Sequence, residues 1–135
     1  MLEYNGHPVP AGRITRVENY EAWRDNYRLG LRANGSLALG VARRCCALLD
    51  QAPYSERLAE VRNGLDNADV ADMPAARAAA SAFAMQSAAA LVAASGGSAV
   101  TMQHHAQRLV REATFLLVQG QTPQIREHLL DGFVT

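Results

Sequence analysis

MPAARAAASAFAMQSAAALVAASGG, residues 73–97, is the stretch on which the fold of this chain turns. Ala76, Ala80, Phe83, Ser87, Ala90, Leu91 and Ala94 recur close to three- and four-residue steps, which puts them near one stripe of a helix. Asp72 stands before the run as a candidate N-cap. Pro74 falls in the first turn, where a missing N–H matters least. Gly96-Gly97 closes the run, as an αL C-cap requires. A helix over 73–94 with so many small side chains lets neighbouring helices approach closely, so it predicts a helical bundle.

Neighbouring stretches extend that bundle. Downstream, Met102, Ala106, Leu109, Val110, Ala113, Leu116 and Leu117 give a core face to a helix over 101–119. Gly120 ends it, and Pro123 opens a last helix to about Leu130. Upstream, Leu58, Val61 and Leu65 share one face of a short helix over 54–66, set off by Pro53. Residues 19–50 predict a long helix with Asn19 as N-cap and Leu37, Val41, Cys45, Leu48 and Leu49 at helical spacing. Gly30, Gly35 and Gly40 each lower its helix propensity. That repeated cost points to close packing against another helix or a ligand, or to a break near Asn34-Gly35.

Residues 1–16 do not read as helix. Pro8 and Pro10 remove backbone donors, and Gly6 and Gly12 favour turns. Leu2 and Tyr4 alternate with polar neighbours, as in a short edge strand. A lone strand needs a sheet from elsewhere. The expectation is therefore an all-α antiparallel bundle over 19–135, preceded by an extended segment over 1–18.

The composition narrows the function classes. Thirteen basic residues balance 13 acidic ones, so no electrostatic ground exists for a nucleic-acid or anionic-membrane partner. The longest apolar stretch, 88–94, is too short and too alanine-rich to span a bilayer, and residues 1–16 are too polar for a signal peptide. Cys45 and Cys46 are adjacent, a strained geometry for a disulfide, and no metal-ligand spacing accompanies them. They read as packed thiols of a cytoplasmic protein.

Few residues offer chemistry. His104 and His105 point about 100° apart on a helix, so they read as one structural and one solvent-facing histidine rather than a metal pair. Ser36 and Ser87 have no base nearby in sequence, and no metal site is expected. The arginines carry more information. Arg57, Arg108 and Arg111 flank glycine-bearing connections, and a guanidinium fork suits phosphate. Gly96-Gly97 would let backbone amides come close to an anion.

Four stretches, taken in order, resemble the end of chains of the acyl-CoA dehydrogenase family. LEYNGHPVPAGRI, from residue 2, is similar to the last strand of that family's middle β-domain. GLRANGSLALGVARR, 30–44, resembles its long helix with a small-residue centre. LVAASGGSAV, 91–100, resembles the helix ending in a double glycine. QRLVREATFLLVQGQT, 107–122, resembles the helix with an Arg-x-x-Arg-acid-Ala pattern and its following turn.

The resemblance implies α,β-dehydrogenation of an acyl-CoA thioester, with FAD accepting a hydride and a glutamate taking the α-proton. It implies contacts from Arg57, Gly96 and Gly97 to a neighbouring subunit's FAD, although the Phe-Gly that usually follows the arginine is absent. It implies a homo-oligomer, or assembly with a larger acyl-CoA dehydrogenase subunit, in lipid metabolism. The glutamate's usual position, before the glycine of the last landmark, is Gln119 here. The alternative position, near the start of the long helix, corresponds to Leu29–Asn34, which holds no carboxylate; Glu21 and Asp25 lie about two turns earlier. An amide cannot take the proton. The expectation is a supporting part that is inactive alone. A non-enzymatic interaction module, or an unrelated alanine-rich bundle with a ligand between its helices, is the alternative.

Overall fold

The computed structural model describes residues 5–134. Five α-helices follow one another: α1 (Tyr20–Leu49), α2 (Ala52–Asn67), α3 (Met73–Ser95), α4 (His105–Val118) and α5 (Pro123–Val134). The all-α bundle is as expected, and no strand occurs among the described residues. The proposed edge strand at Leu2 and Tyr4 lies outside them. Residues 5–19 are all exposed and include a 3-10 turn at Ala11–Arg13, closed by Arg13 N–H donating to Pro10 O.

The stretch that decided the fold is also its axis. α3 packs against each of the other four helices. Its small residues Ala78, Ala80, Ala84 and Ala88 are fully or almost fully buried, beside Phe83 and Leu91. By length and composition alone, Met73–Val100 could cross a membrane, contrary to the reading of 88–94, but 44% of its most apolar window is buried inside the bundle. That is the burial expected of a core helix. Leu31, Leu39, Leu65, Leu109 and Ile125 complete the core, each worth about 1.5–3 kcal/mol on full burial.

The long helix α1 does not break at Asn34-Gly35. Gly35 explains its own presence: a Cβ there would stand 2.8 Å from both Leu65 Cδ atoms, so glycine lets α2 come close. Gly30 and Gly40 face open space, and nothing packed there explains them. Leu37, expected in the core, is 58% exposed, because the buried stripe runs instead through Leu31, Gly35, Ala38, Leu39 and Ala42.

The caps divide into expected and unexpected. Asn19 Oδ1 accepts from Glu21 N–H and Ala22 N–H, as its position predicts. Asp72 does not cap α3. Its backbone is already helical, and it is Asp69 Oδ1 that accepts from Ala71 N–H and Asp72 N–H. Gly96 has φ +60° but ψ −149°, so α3 ends on a glycine that is not αL; a 3-10 turn, Gly96–Val100, follows. α4 starts at His105 rather than 101, with His104 Nδ1 accepting from Ala106 N–H; Met102 is left outside the helix and exposed.

Candidate functional site

The end of α4 gathers the most unusual polar chemistry. Gln119 is its C-cap, donating its N–H to Phe115 O, and Gly120 follows at φ +63°. Gly120 presses on α1, where a Cβ would meet Asn34 Nδ2 at 2.7 Å. The Gln119–Gly120 turn and Asn34 are 85 residues apart in sequence yet meet in space. Asn34, the last residue of the stretch Leu29–Asn34, therefore lies beside Gly120, and Asn34 and Gln119 both carry amides.

Arg77 lies under this turn and was missed in the sequence. The residue is 1% exposed. Nη2 donates to Leu116 O at 2.9 Å and to Gln119 O at 3.2 Å, and Nη1 donates to Ser81 Oγ. Ser81 in turn donates to Leu116 O at 3.0 Å. No carboxylate pairs with Arg77 among the described residues. Its counter-charge is the negative end of α4, whose last carbonyls have no partner within the helix. Desolvation lowers its pKa from the usual guanidinium value. The signal in the sequence was a lone cation inside an alanine run with a hydroxyl four residues on. A charge on so apolar a helix must find partners. Gln119 Oε1 and Arg77 Nε are buried without a hydrogen-bond partner.

The proposed cofactor residues are not drawn together. Arg57 is exposed, and its Nη1 pairs with Glu60 Oε2 at 2.8 Å. It borders a cavity of about 410 Å3 with Gln86 on α3 and His128 on α5. Gly96 is ten residues beyond Gln86, about 15 Å along a helix, and does not line that cavity. Both glycines are exposed with open space at the Cβ position, so an anion can approach their backbone. Gly96 N–H is committed to Ala93 O, which narrows an amide contact to Gly97. Arg57 and Gly97 are thus separate exposed positions rather than parts of one site.

The other candidates are structural or at the surface. His104 caps α4 and His105 is exposed. Arg108 pairs with Glu112 at 3.3 Å, and with Arg111 they edge an open groove of about 620 Å3 floored by Leu37, Val41 and Phe115. Cys45 and Cys46 are free and buried. Burial pushes Cys45 up to about 11, despite a hydrogen bond from Ser87, and raises Cys46 too. Neither is a nucleophile at neutral pH. No group of three or more potential metal ligands occurs among the described residues.

A family model, acyl-CoA dehydrogenase, C-terminal domain, matches residues 33–118, well over half of the chain. The chain belongs to this family. The match runs from α1 to the last residue of α4 and covers Arg57, Gly96 and Gly97. It stops one residue before Gln119. Neither the curated proteins nor the solved structures give a match. Membership of the acyl-CoA dehydrogenase family accounts for the bundle and its helix order; the roles of individual residues rest on their chemistry.

Proposed function

We propose that this chain is a supporting C-terminal part, or small subunit, of an FAD-dependent acyl-CoA dehydrogenase-like oxidoreductase, and that it has no catalytic base of its own. The observation that carries the reading is the α4–α5 turn itself: Gln119 precedes Gly120, and Gly120 is pressed against Asn34, so amides and no carboxylate stand there. A base for the α-proton of a thioester needs a carboxylate here, and two neutral amides can hydrogen-bond but cannot take the proton. FAD, when bound, supplies the hydride acceptor. Arg57 and Gly97 would each meet a phosphate at the edge of such a group, from a partner chain or domain that encloses the rest.

What remains is a positioning role. The Arg77–Ser81 network fixes the carbonyls of Leu116 and Gln119, so the turn is held rigidly even though the base is absent. An amide at Gln119 can orient a thioester by hydrogen bonding. Restoring the acid tests this reading. In complex with its flavin-bearing partner, Gln119→Glu gains acyl-CoA dehydrogenation, read by reduction of an electron acceptor, over the unsubstituted chain. If the unsubstituted complex is fully active and Gln119→Glu adds nothing, Gln119 is not the base position.

A second reading, a non-enzymatic oligomerising module, is favoured by one observation. Leu37 and Phe115 are 58% and 60% exposed on the α1–α4 groove. Light scattering separates the two: a homodimer that takes up no flavin protein favours the module.

A further inference from the structure

The dipeptide Asn-Gly occurs three times, at Asn5-Gly6, Asn34-Gly35 and Asn63-Gly64. Its chemistry is particular. The main-chain nitrogen of the glycine can attack the side-chain amide carbon of the asparagine, and glycine has no Cβ to shield that nitrogen. The reaction needs an uncommitted glycine N–H and a main chain free to turn until the two atoms meet. The three pairs share one local sequence, so the fold decides which of them can react.

Two of the pairs are held in helices. Asn34-Gly35 sits in the middle of α1 and Asn63-Gly64 in the last turns of α2, so each glycine N–H belongs to a helical hydrogen-bond ladder. Gly35 is also buried against Leu65, and Asn34 stands against Gly120. Asn63 is engaged twice by Asn67, whose Nδ2 donates to Asn63 O at 2.9 Å and to Asn63 Oδ1 at 2.7 Å. Asn5-Gly6 differs in each respect. Both residues are exposed and lie outside any helix. Gly6 N–H donates to no backbone carbonyl among the described residues, and the space around its Cβ position is open. Its φ of +68° uses the conformational freedom that only glycine has at low cost.

We propose that Asn5 is a site of spontaneous deamidation, and that the fold protects Asn34 and Asn63 from the same reaction. The Gly6 nitrogen forms a bond to Asn5 Cγ, and the bond from Cγ to Nδ2 breaks. Ammonia leaves with the proton that Gly6 N–H gives up. Water then opens the five-membered imide at one of its two carbonyls. Opening at the side-chain carbonyl leaves aspartate; opening at the main-chain carbonyl leaves isoaspartate, whose main chain is one methylene longer. No electrons are transferred, and water is the only co-reactant. Either product puts a carboxylate on residue 5 and takes the formal net charge from zero to −1. Residues 5–19 are all exposed, so the bundle loses no buried contact. The reaction needs no dehydrogenase partner, so this site and the supporting-part role fail separately.

Trypsin places the three pairs in separate peptides, residues 1–13, 33–43 and 63–77. The full chain is held folded at neutral pH and physiological temperature and sampled over weeks. Chromatography with mass spectrometry follows the conversion of amide to acid in each peptide. Fragmentation separates isoaspartate from aspartate and places the acid at Asn63 or at Asn67 in the last peptide. In the folded chain, Asn5 should convert at least about tenfold faster than Asn34 and Asn63, because a helical pair reacts only after local opening. In urea the helices are gone, and the three rates should converge. Gly6→Ala should slow conversion at Asn5 at least about tenfold, because its Cβ shields the attacking nitrogen. Asn5→Gln should leave the 1–13 peptide intact, since its ring would need one more atom. A 1–13 peptide that keeps its amide in the folded chain overturns the proposal. So does conversion at Asn34 or Asn63 that keeps pace with Asn5 while the chain is folded.

Discussion

Two arginines in this bundle do the same job in different surroundings. Arg32, on α1, reaches across to the end of α2 and donates to Asp66 O at 2.7 Å and Ala68 O at 2.9 Å. Arg77, on α3, does the same for the end of α4 at Leu116 O and Gln119 O. Each places positive charge on the negative end of a helix and satisfies carbonyls that the helix leaves over. Arg32 is only partly buried, so water can replace it. Arg77 is sealed in, and water cannot. The strength of a clamp therefore depends less on its hydrogen bonds than on what would replace them.

The sharpest way to break that comparison is to remove each arginine. Arg77→Ala should destabilise the chain by about 3–5 kcal/mol in urea unfolding, since it opens a cavity and orphans buried carbonyls. Arg32→Ala should cost about 1 kcal/mol, the usual net worth of a solvated hydrogen-bonding group. Equal losses would mean that burial is irrelevant to the clamp. Arg77→Met separates charge from volume: it fills the space, so any remaining loss measures the stranded carbonyls.

Between these two effects lies the turn that Arg77 holds. Gly120→Ala should cost about 1–2 kcal/mol, because φ +63° is unfavourable for an L side chain. The added Cβ also meets Asn34 Nδ2. Thermal unfolding of Gly120→Ala with and without Asn34→Ala isolates the steric share, which the second substitution should return.

The thiols report the smallest effect and sharpen the same comparison. With Cys45 near 11, its thiolate fraction at pH 8 is about one in a thousand. Native protein at pH 8 should scarcely react with a thiol reagent, and labelling should follow unfolding. Arg77→Ala should then label much faster than Arg32→Ala. The sign with pH follows from burial. Below pH 9 both states hold the proton and stability is unaffected. As pH rises from the ordinary thiol value of about 9 towards 11, the unfolded thiol ionises first and stability falls. A labelling rate that ignores stability would mean that the thiols are reached without unfolding.

Much of the fold was legible because small-residue helices and their terminators leave local marks. The helix that starts at Met73, Asn19 and Gly120 each did what their neighbours in sequence implied, whereas Gly96 closed α3 outside the αL region. The errors share one cause. Asp72 looked like a cap, but the turn that begins at Asp69 had already used the position. Leu37 and Met102 were assigned to the core from spacing, but a helix's rotation and starting point are set by its partners. The site was less legible. Gln119 stood out beside its family's glutamate, whereas the approach of Gly120 to Asn34 depends on α1 and α4 packing together. Arg77 was visible as a residue, at four-residue spacing from Ser81, but its burial came only from the fold.

The supporting-part role is tested most directly by purifying the tagged chain from its native extract and recording the flavin absorbance of what comes with it. The expected result is a yellow complex whose second component carries FAD, and a colourless solution once that component is removed. A chain that purifies alone, colourless and stable at low concentration, would contradict it.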